Sequence, residues 1–192
     1  MTFRLFLIEY MFIVVGKPFG CGMPLAAVVT TQEIASSFEA TGVEYFNTFA
    51  GSPVCTAAGL SMLHVLSNEN LQENAIIVGA YLVELLRELQ SKCELIGNIR
   101  GSGLFLGVEL VRDKKTLEPA TAETSFVCSI LKEKHKILTS IDGPHDNVIV
   151  IKPPMVFSKD DALLFVSCLE KVLMEDLPSS KDCLKELGKT PT

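Results

Sequence analysis

The sequence has no tryptophan, only three tyrosines and only three histidines in 192 residues. With so few large polar aromatics, no stacking platform for nucleic-acid bases stands out. Basic residues are also in short supply: 17 Lys and Arg face 23 Asp and Glu, a net charge of −6. Phosphate backbones are bound through a basic face, so nucleic acid is excluded as the main partner. The six cysteines, at 21, 55, 93, 128, 168 and 183, are widely spaced and form no CxxC pair. A secreted disulfide framework would be denser in a shorter chain, so reduced, intracellular thiols are expected. His64, His135 and His145 show no ligand spacing with these cysteines, and no metal site is expected. Long apolar runs are lacking too. The stretch MTFRLFLIEYMFIVV is shorter than the ~20 residues of a membrane span and carries Glu9 within it. It has no small-residue cleavage site after it, and Arg4 is its only arginine. Signal peptide, anchor and mitochondrial transit segment are all poor fits. A buried strand over Leu5–Val15, or an unusual start replacing a longer one, fits better.

What is present is an ordinary globular composition, 48% hydrophobic and 21% charged, long enough for one domain or two small ones. The most informative residue is Lys17, which follows the apolar run inside Gly16-Lys17-Pro18-Phe19-Gly20-Cys21-Gly22. An amine at the mouth of a buried strand loses hydration, and more of its nucleophilic free base is then present near neutral pH. Glycines on both sides would let a carbonyl ligand approach, as Schiff-base chemistry requires. The plainer alternative is a lysine marking the solvent end of a strand.

Further along, Met23–Thr30 reads as a second strand and Thr31 to Phe38 as a short helix. Glu39–Gly51 is loop-like. Val54, Ala57, Ala58, Met62, Val65 and Leu66 give a helical face from Pro53. A second helix carries Leu71, Ala75, Val78, Leu82, Leu85 and Leu89, with Gln90–Glu94 as a polar exit. Leu104, Leu106, Val108 and Leu110 then alternate with Phe105, Gly107, Glu109 and Val111, as in a half-buried strand. Thr121–Lys136 reads as a helix, Ile137–Ser140 and Val148–Lys152 as strands. Ser158 with Asp160 and Asp161 caps a last helix, whose buried stripe runs from Ala162 to Leu173. Residues 95–177 thus form a compact α+β unit. Residues 1–40 look like the edge of a larger α/β sheet, and 178–192 like a disordered tail.

Three segments in order, GKPFGCGMPLAAVVTT, EYFNTFAGSPVCTAAGL and IRGSGLFLGVELV, resemble the class III aminotransferases, pyridoxal-phosphate enzymes of fold type I. The resemblance covers roughly residues 16 to 175. ATGVEYFNTF, Pro119–Glu123, Asp142–Pro144 and Lys152–Met155 are most similar to the family's ammonia-releasing phospho-lyases, which act on 5-phosphohydroxy-L-lysine or phosphoethanolamine. The resemblance implies an α/β fold: residues 1–94 as a remnant of the cofactor-binding large domain, 95–177 as the small domain. It implies that Lys17 forms the Schiff base with pyridoxal phosphate and shuttles the substrate proton. It further implies that Thr48 binds the cofactor phosphate of a neighbouring subunit, and that Arg100 clamps a substrate carboxylate or phosphate. For Thr48 the alternative is a turn residue, and for Arg100 a structural ion pair. A homodimer or homotetramer and a mitochondrial matrix location follow from the same resemblance.

The departures are specific. Gly20-Cys21-Gly22-Met23-Pro24 stands where the family has GNGHP, and Ala50-Gly51 where it has a double glycine. The family's glycine-rich phosphate turn, stacking aromatic and pyridine-pairing acid lie upstream of the lysine, and no Asp precedes Lys17 here. A truncated form with little or no activity is therefore expected. The rivals are a class III transaminase using pyruvate or glyoxylate, and a non-catalytic fragment that only pairs with full-length subunits.

Overall fold

The computed structural model describes residues 12–48 and 50–179. The expected strand residues 5–11 and the expected tail from 180 to 192 lie outside them. Contacts divide the chain after Asn70 into two compact units.

In the first unit, β1 (Phe12–Val15) and β2 (Ala27–Thr30) form an antiparallel hairpin, with Phe12 opposite Thr30 and Val15 opposite Ala27. Their β-branched residues suit a pleated surface, but the described part of the first strand is not buried as expected. Phe12 and Val14 are 53% and 77% exposed, because within this unit the hairpin has two strands and an open face. Helix α1 (Gln32–Ala40) starts where Thr31 accepts the Ile34 N–H at 3.4 Å, and it runs two residues past its expected end. Helix α2 (Pro53–Asn68) is capped by Ser52, with Pro53 in its first turn. The apolar face expected on α2 is not a buried stripe within this unit. Val54 and Val65 are exposed, and the buried residues are Cys55 and Gly59.

The second unit is built on an antiparallel sheet in the order β3-β4-β7-β6: β3 is Ile96–Ser102, β4 Phe105–Asp113, β6 Ser140–Asp142 and β7 Val148–Ile151. A two-residue strand, β5 (Glu118–Pro119), pairs with the end of β4. The expected alternation in β4 is present: Leu104, Leu106, Val108 and Leu110 are all buried. Val111, assigned to the opposite face, is buried as well, and it packs where Gly97 has no side chain, since a Cβ there would lie 2.8 Å from Val111 Cγ2. The short strand β6 begins at Ser140, later than expected. Helix α4 (Thr121–His135) ends through Lys136 in a left-handed conformation, with the Ile137 N–H donating to the Leu131 carbonyl.

Helix α3 (Leu71–Lys92) belongs by its contacts to this second unit, although the sequence reading grouped it with residues 1–94. It buries Val78, Leu82, Leu86 and Leu89 and packs against β3 and α5 (Lys159–Lys171). At ~2 kcal/mol for each large apolar side chain removed from water, this face outweighs local propensity in holding the helix. Arg112 on β4 donates to both carboxylate oxygens of Glu123 on α4, at 2.8 and 3.1 Å, and to Glu118 on β5 at 3.1 Å. The Glu123 carboxylate, followed by Glu118, pushes the guanidinium above its ordinary value against the cost of partial burial. After α5 the helix widens into a π turn over Val172–Asp176, one residue ahead of the last short helix α6 (Leu177–Ser179) and its Pro178.

The start of α5 carries the cap read from the sequence. Ser158 accepts the Asp161 N–H at 3.1 Å, and Asp161 accepts the Ser158 N–H at 2.9 Å. The Ser158 hydroxyl, then its N–H, hold the Asp161 carboxyl below its ordinary value of 3.8. A depressed folded pKa contributes stability above the ordinary value and loses it as pH falls through the folded one. Ser158→Ala should therefore cost about 1 kcal/mol at neutral pH. Urea midpoints should show the gap between wild type and Asp161→Asn closing as pH is lowered below 3.8.

Candidate functional site

Lys17 opens a 3-10 turn, Lys17–Gly20, directly after β1. Its backbone is left-handed at φ 54°, and Cys21 at 48° and Gly22 at 96° complete the reversal. A lysine at positive φ is uncommon, and such conformations persist where surrounding structure holds them, often at functional sites. The turn is closed by Phe19 N–H to the Gly16 carbonyl at 3.3 Å and Met23 N–H to the Gly20 carbonyl at 3.0 Å. The expected burial of Lys17 is not found: the residue is exposed within its unit, because the turn projects from the end of a two-stranded hairpin. Gly20, the last residue of the turn, is buried instead, on the side that packs against α2.

Thr48 lies in the same unit, in a turn closed by Ala50 N–H to the Asn47 carbonyl at 2.9 Å. It is exposed, as is the whole stretch from Val43 to Thr48, including Tyr45 and Phe46 at 74% and 87%. It stands shortly before Ser52, whose hydroxyl caps α2. A hydroxyl ahead of a sixteen-residue helix's N-terminus is a chemically suitable setting for an anion.

Arg100 belongs to the second unit, on β3. Its Nη1 donates to Glu109 Oε2 at 2.5 Å across the β3–β4 pair, and both side chains are part-exposed. The carboxylate this guanidinium meets in the folded chain is thus its own neighbour's.

The sequence reading missed a cavity of about 720 Å³ in the second unit. It lies beside β6 and the start of α5, and Ile137, Ser140, Lys152, Phe157 and Leu164 are among its lining residues. Lys152 appeared in the sequence only as part of the KPPM segment. The loop that bears it is tied to α3, where Asn74 Nδ2 donates to the carbonyls of Met155 at 2.8 Å and Phe157 at 3.1 Å. None of Lys17, Thr48 or Arg100 lines this space. Burial pushes the Cys128 thiol above its ordinary value, which disfavours a thiolate there.

The donor set of the first unit suits pyridoxal phosphate: a solvent-reachable primary amine for an aldehyde, and a hydroxyl at a helix start for a phosphate. Among the described residues no helix is long and apolar enough to cross a membrane. Residues 11–173 match the class III aminotransferase family. An Arabidopsis thaliana protein named alanine–glyoxylate aminotransferase 2 homolog 2, mitochondrial, is 49% identical over 82% of this chain and 32% of its own length. A Caenorhabditis elegans protein named ethanolamine-phosphate phospho-lyase homolog 1 is 43% identical over 84% of this chain and 34% of its own. A solved Arthrobacter phospholyase in complex with phosphoethanolamine superposes with a TM-score of 0.83 at 36% identity, covering 90% of this chain and 40% of that one. The chain therefore spans about a third of the length of the curated relatives it matches.

The Arg100–Glu109 pair is surface-exposed enough that its contribution to stability should be small. Arg100→Ala and Glu109→Ala should each shift stability by less than ~1 kcal/mol. Chemical denaturation of both single variants and the double variant measures this. A larger coupling would mean that Arg100 serves the sheet first and an incoming anion second.

Proposed function

The chain belongs to the class III aminotransferase family, whose enzymes depend on pyridoxal phosphate, and we propose that it serves an ammonia-releasing phospho-lyase activity on 5-phosphohydroxy-L-lysine or phosphoethanolamine. The observation that carries this reading is the likeness to the Arthrobacter phospholyase over nine-tenths of the chain, joined to the match with the nematode phospho-lyase homolog. In this reading residues 1–94 contribute to the cofactor-binding domain and residues 95–177 form the small domain.

Lys17 would hold one cofactor covalently through Nζ, and Thr48 would hold the phosphate of a neighbouring subunit's cofactor. When bound, pyridoxal phosphate withdraws electrons from the substrate carbon that bears the amine, so that a proton there can leave. Lys17, once freed by the incoming substrate amine, would take that proton on Nζ. Arg100, if it exchanges Glu109 for a substrate anion, orients that end of the substrate. Loss of phosphate from the neighbouring carbon leaves an enamine product, and its hydrolysis by water to an aldehyde and ammonia completes the reaction. A homodimer or homotetramer is part of the proposal, with the exposed loop Val43–Thr48 serving a neighbouring subunit's cofactor. A mitochondrial location is supported by the name of the Arabidopsis relative.

The second reading, a transaminase passing the amino group to pyruvate or glyoxylate, is favoured by the aminotransferase name of the same relative. The residues that resemblance assigns to the cofactor ring lie outside the matched span, so we expect the 192-residue chain alone to capture the cofactor at Lys17 yet turn over slowly if at all.

The test uses that purified chain. Pyridoxal phosphate followed by borohydride should label Lys17, and Lys17→Ala should abolish the label at that peptide. With phosphoethanolamine or 5-phosphohydroxylysine, any turnover should stay far below ~1 per second and should yield phosphate and ammonia in equal amounts. Amino transfer to pyruvate or glyoxylate without phosphate release would favour the second reading.

A further inference from the structure

Gly59 stands in the interior of α2, where alanine would make a more stable helix. What fills the space its side chain would take is Leu25. A Cβ on Gly59 would lie 2.2 Å from Leu25 Cδ2 and 3.7 Å from Leu25 Cγ. The other side of Leu25 also rests on a glycine. Gly20 ends the lysine turn and is buried, and a Cβ there would meet Leu25 Cβ at 3.0 Å and Leu25 N at 3.3 Å. Leu25 is therefore clasped between the lysine turn and a notch in α2, and neither contact tolerates an added methyl without movement.

The β1–β2 ladder ends with Val15 opposite Ala27. Beyond it Gly16 stays close to Ala26, where a Cβ on Gly16 would be 3.8 Å from Ala26 Cβ, and Lys17 and Leu25 are the next residues outward on the two sides. The turn needs such a hold, for Lys17 sits at φ 54°. Two strands alone give little rigidity.

We infer that Leu25 is the positioning residue for Lys17: seated over Gly59, it fastens the lysine turn to α2 and so fixes where the amine points. This rests on the proposed Schiff-base role of Lys17 and adds what holds that amine in place. The contact at Gly59 is with a terminal methyl, which rotation can relieve. The contact at Gly20 is with Cβ and backbone nitrogen, which rotation cannot relieve.

The experiment follows the rate at which pyridoxal phosphate and borohydride label each lysine-containing peptide of the 192-residue chain, beside the thermal midpoint of each variant. Leu25→Ala should slow labelling of Lys17 about tenfold or more, as a displaced reactive group does, while the other lysines label as before. Leu25→Met, which keeps the reach into the notch, should restore the rate. Leu25→Ala combined with Gly59→Ala puts a better helix former into the vacated space, so it should recover thermal stability without recovering Lys17 labelling. Should Leu25→Ala not fold, Leu25→Val, which keeps the contact at Gly20 and loses the reach to Gly59, should fold and still label Lys17 slowly. Labelling at the wild-type rate in Leu25→Ala or Leu25→Val, or labelling that returns in step with stability in the double variant, would overturn the inference. A wild-type chain that labels Lys17 no faster than its other lysines would instead sink the Schiff-base reading, and this inference with it.

Discussion

Strand β4 is the constraint on which the second unit depends, since it is hydrogen-bonded on both sides and its register decides which residues face the core. It pairs with β3 and β7, and its end pairs with β5. A slip of one residue would turn Leu106, Val108 and Leu110 out of the buried core they share with residues of α3 and α5. Asn147 prevents that slip. It is 2% exposed, donates its side-chain amide to the Leu110 carbonyl at 2.9 Å, and receives the Leu110 N–H on its own carbonyl at 2.8 Å. A buried amide with both partners supplied in one register, and neither supplied in the next, penalises every alternative pairing. The Arg112 clip to Glu118 and Glu123 acts two residues further along the same end of the strand, joining it to β5 and α4.

The parts of the fold that were legible in the sequence are those whose apolar residues repeat with one period. Leu82 and Leu89 on α3, the alternation in β4, the run Val148–Ile151, and Ser158 ahead of α5 each carry a local signal strong enough to name the element. Strand β3 was missed because IGNIRGS has no such alternation. It becomes a strand through β4, reached by a short turn that begins with Gly103 at φ 56°. The burial of Val111 was unreadable for a related reason, since it depends on the space left by Gly97 on the adjacent strand. The stripe expected on α2 shows the opposite failure. Its period is helical and its helix is real, yet periodicity says nothing about which neighbour covers a face, and within this unit only Cys55 and Gly59 are fully buried.

The candidate site divides in the same way. Lys17 stood out because a lysine between glycines after an apolar run is a local pattern, and the structure places it in a turn directly after that run. Its exposure was not readable, because burial of a strand end depends on how many strands stand beside it. For Arg100 the sequence left a clamp and an ion pair open, and the ion-pair partner is Glu109 on the facing strand, two positions off in register, which no local spacing displays. Leu25 and Gly59 are more than thirty residues apart in the chain, and only the packing of hairpin on helix makes them one feature.

Stability and chemistry consequently draw on different residues. Apart from Cys55, every buried apolar side chain among the described residues belongs to the second unit. The proposed cofactor-binding groups Lys17 and Thr48 both belong to the first, on exposed turns. Turns with few buried contacts open at low free energy, so the direction of a reactive amine there cannot be inherited from a large core. It has to come from a few close contacts made near the residue itself. A helix glycine that accepts a leucine, and a turn glycine pressed against the same leucine, are the kind of contact that can do this where a core cannot. Substitutions in the second unit should then move folding stability with little effect on the amine's geometry, and small changes around Leu25 should move that geometry even where stability is restored.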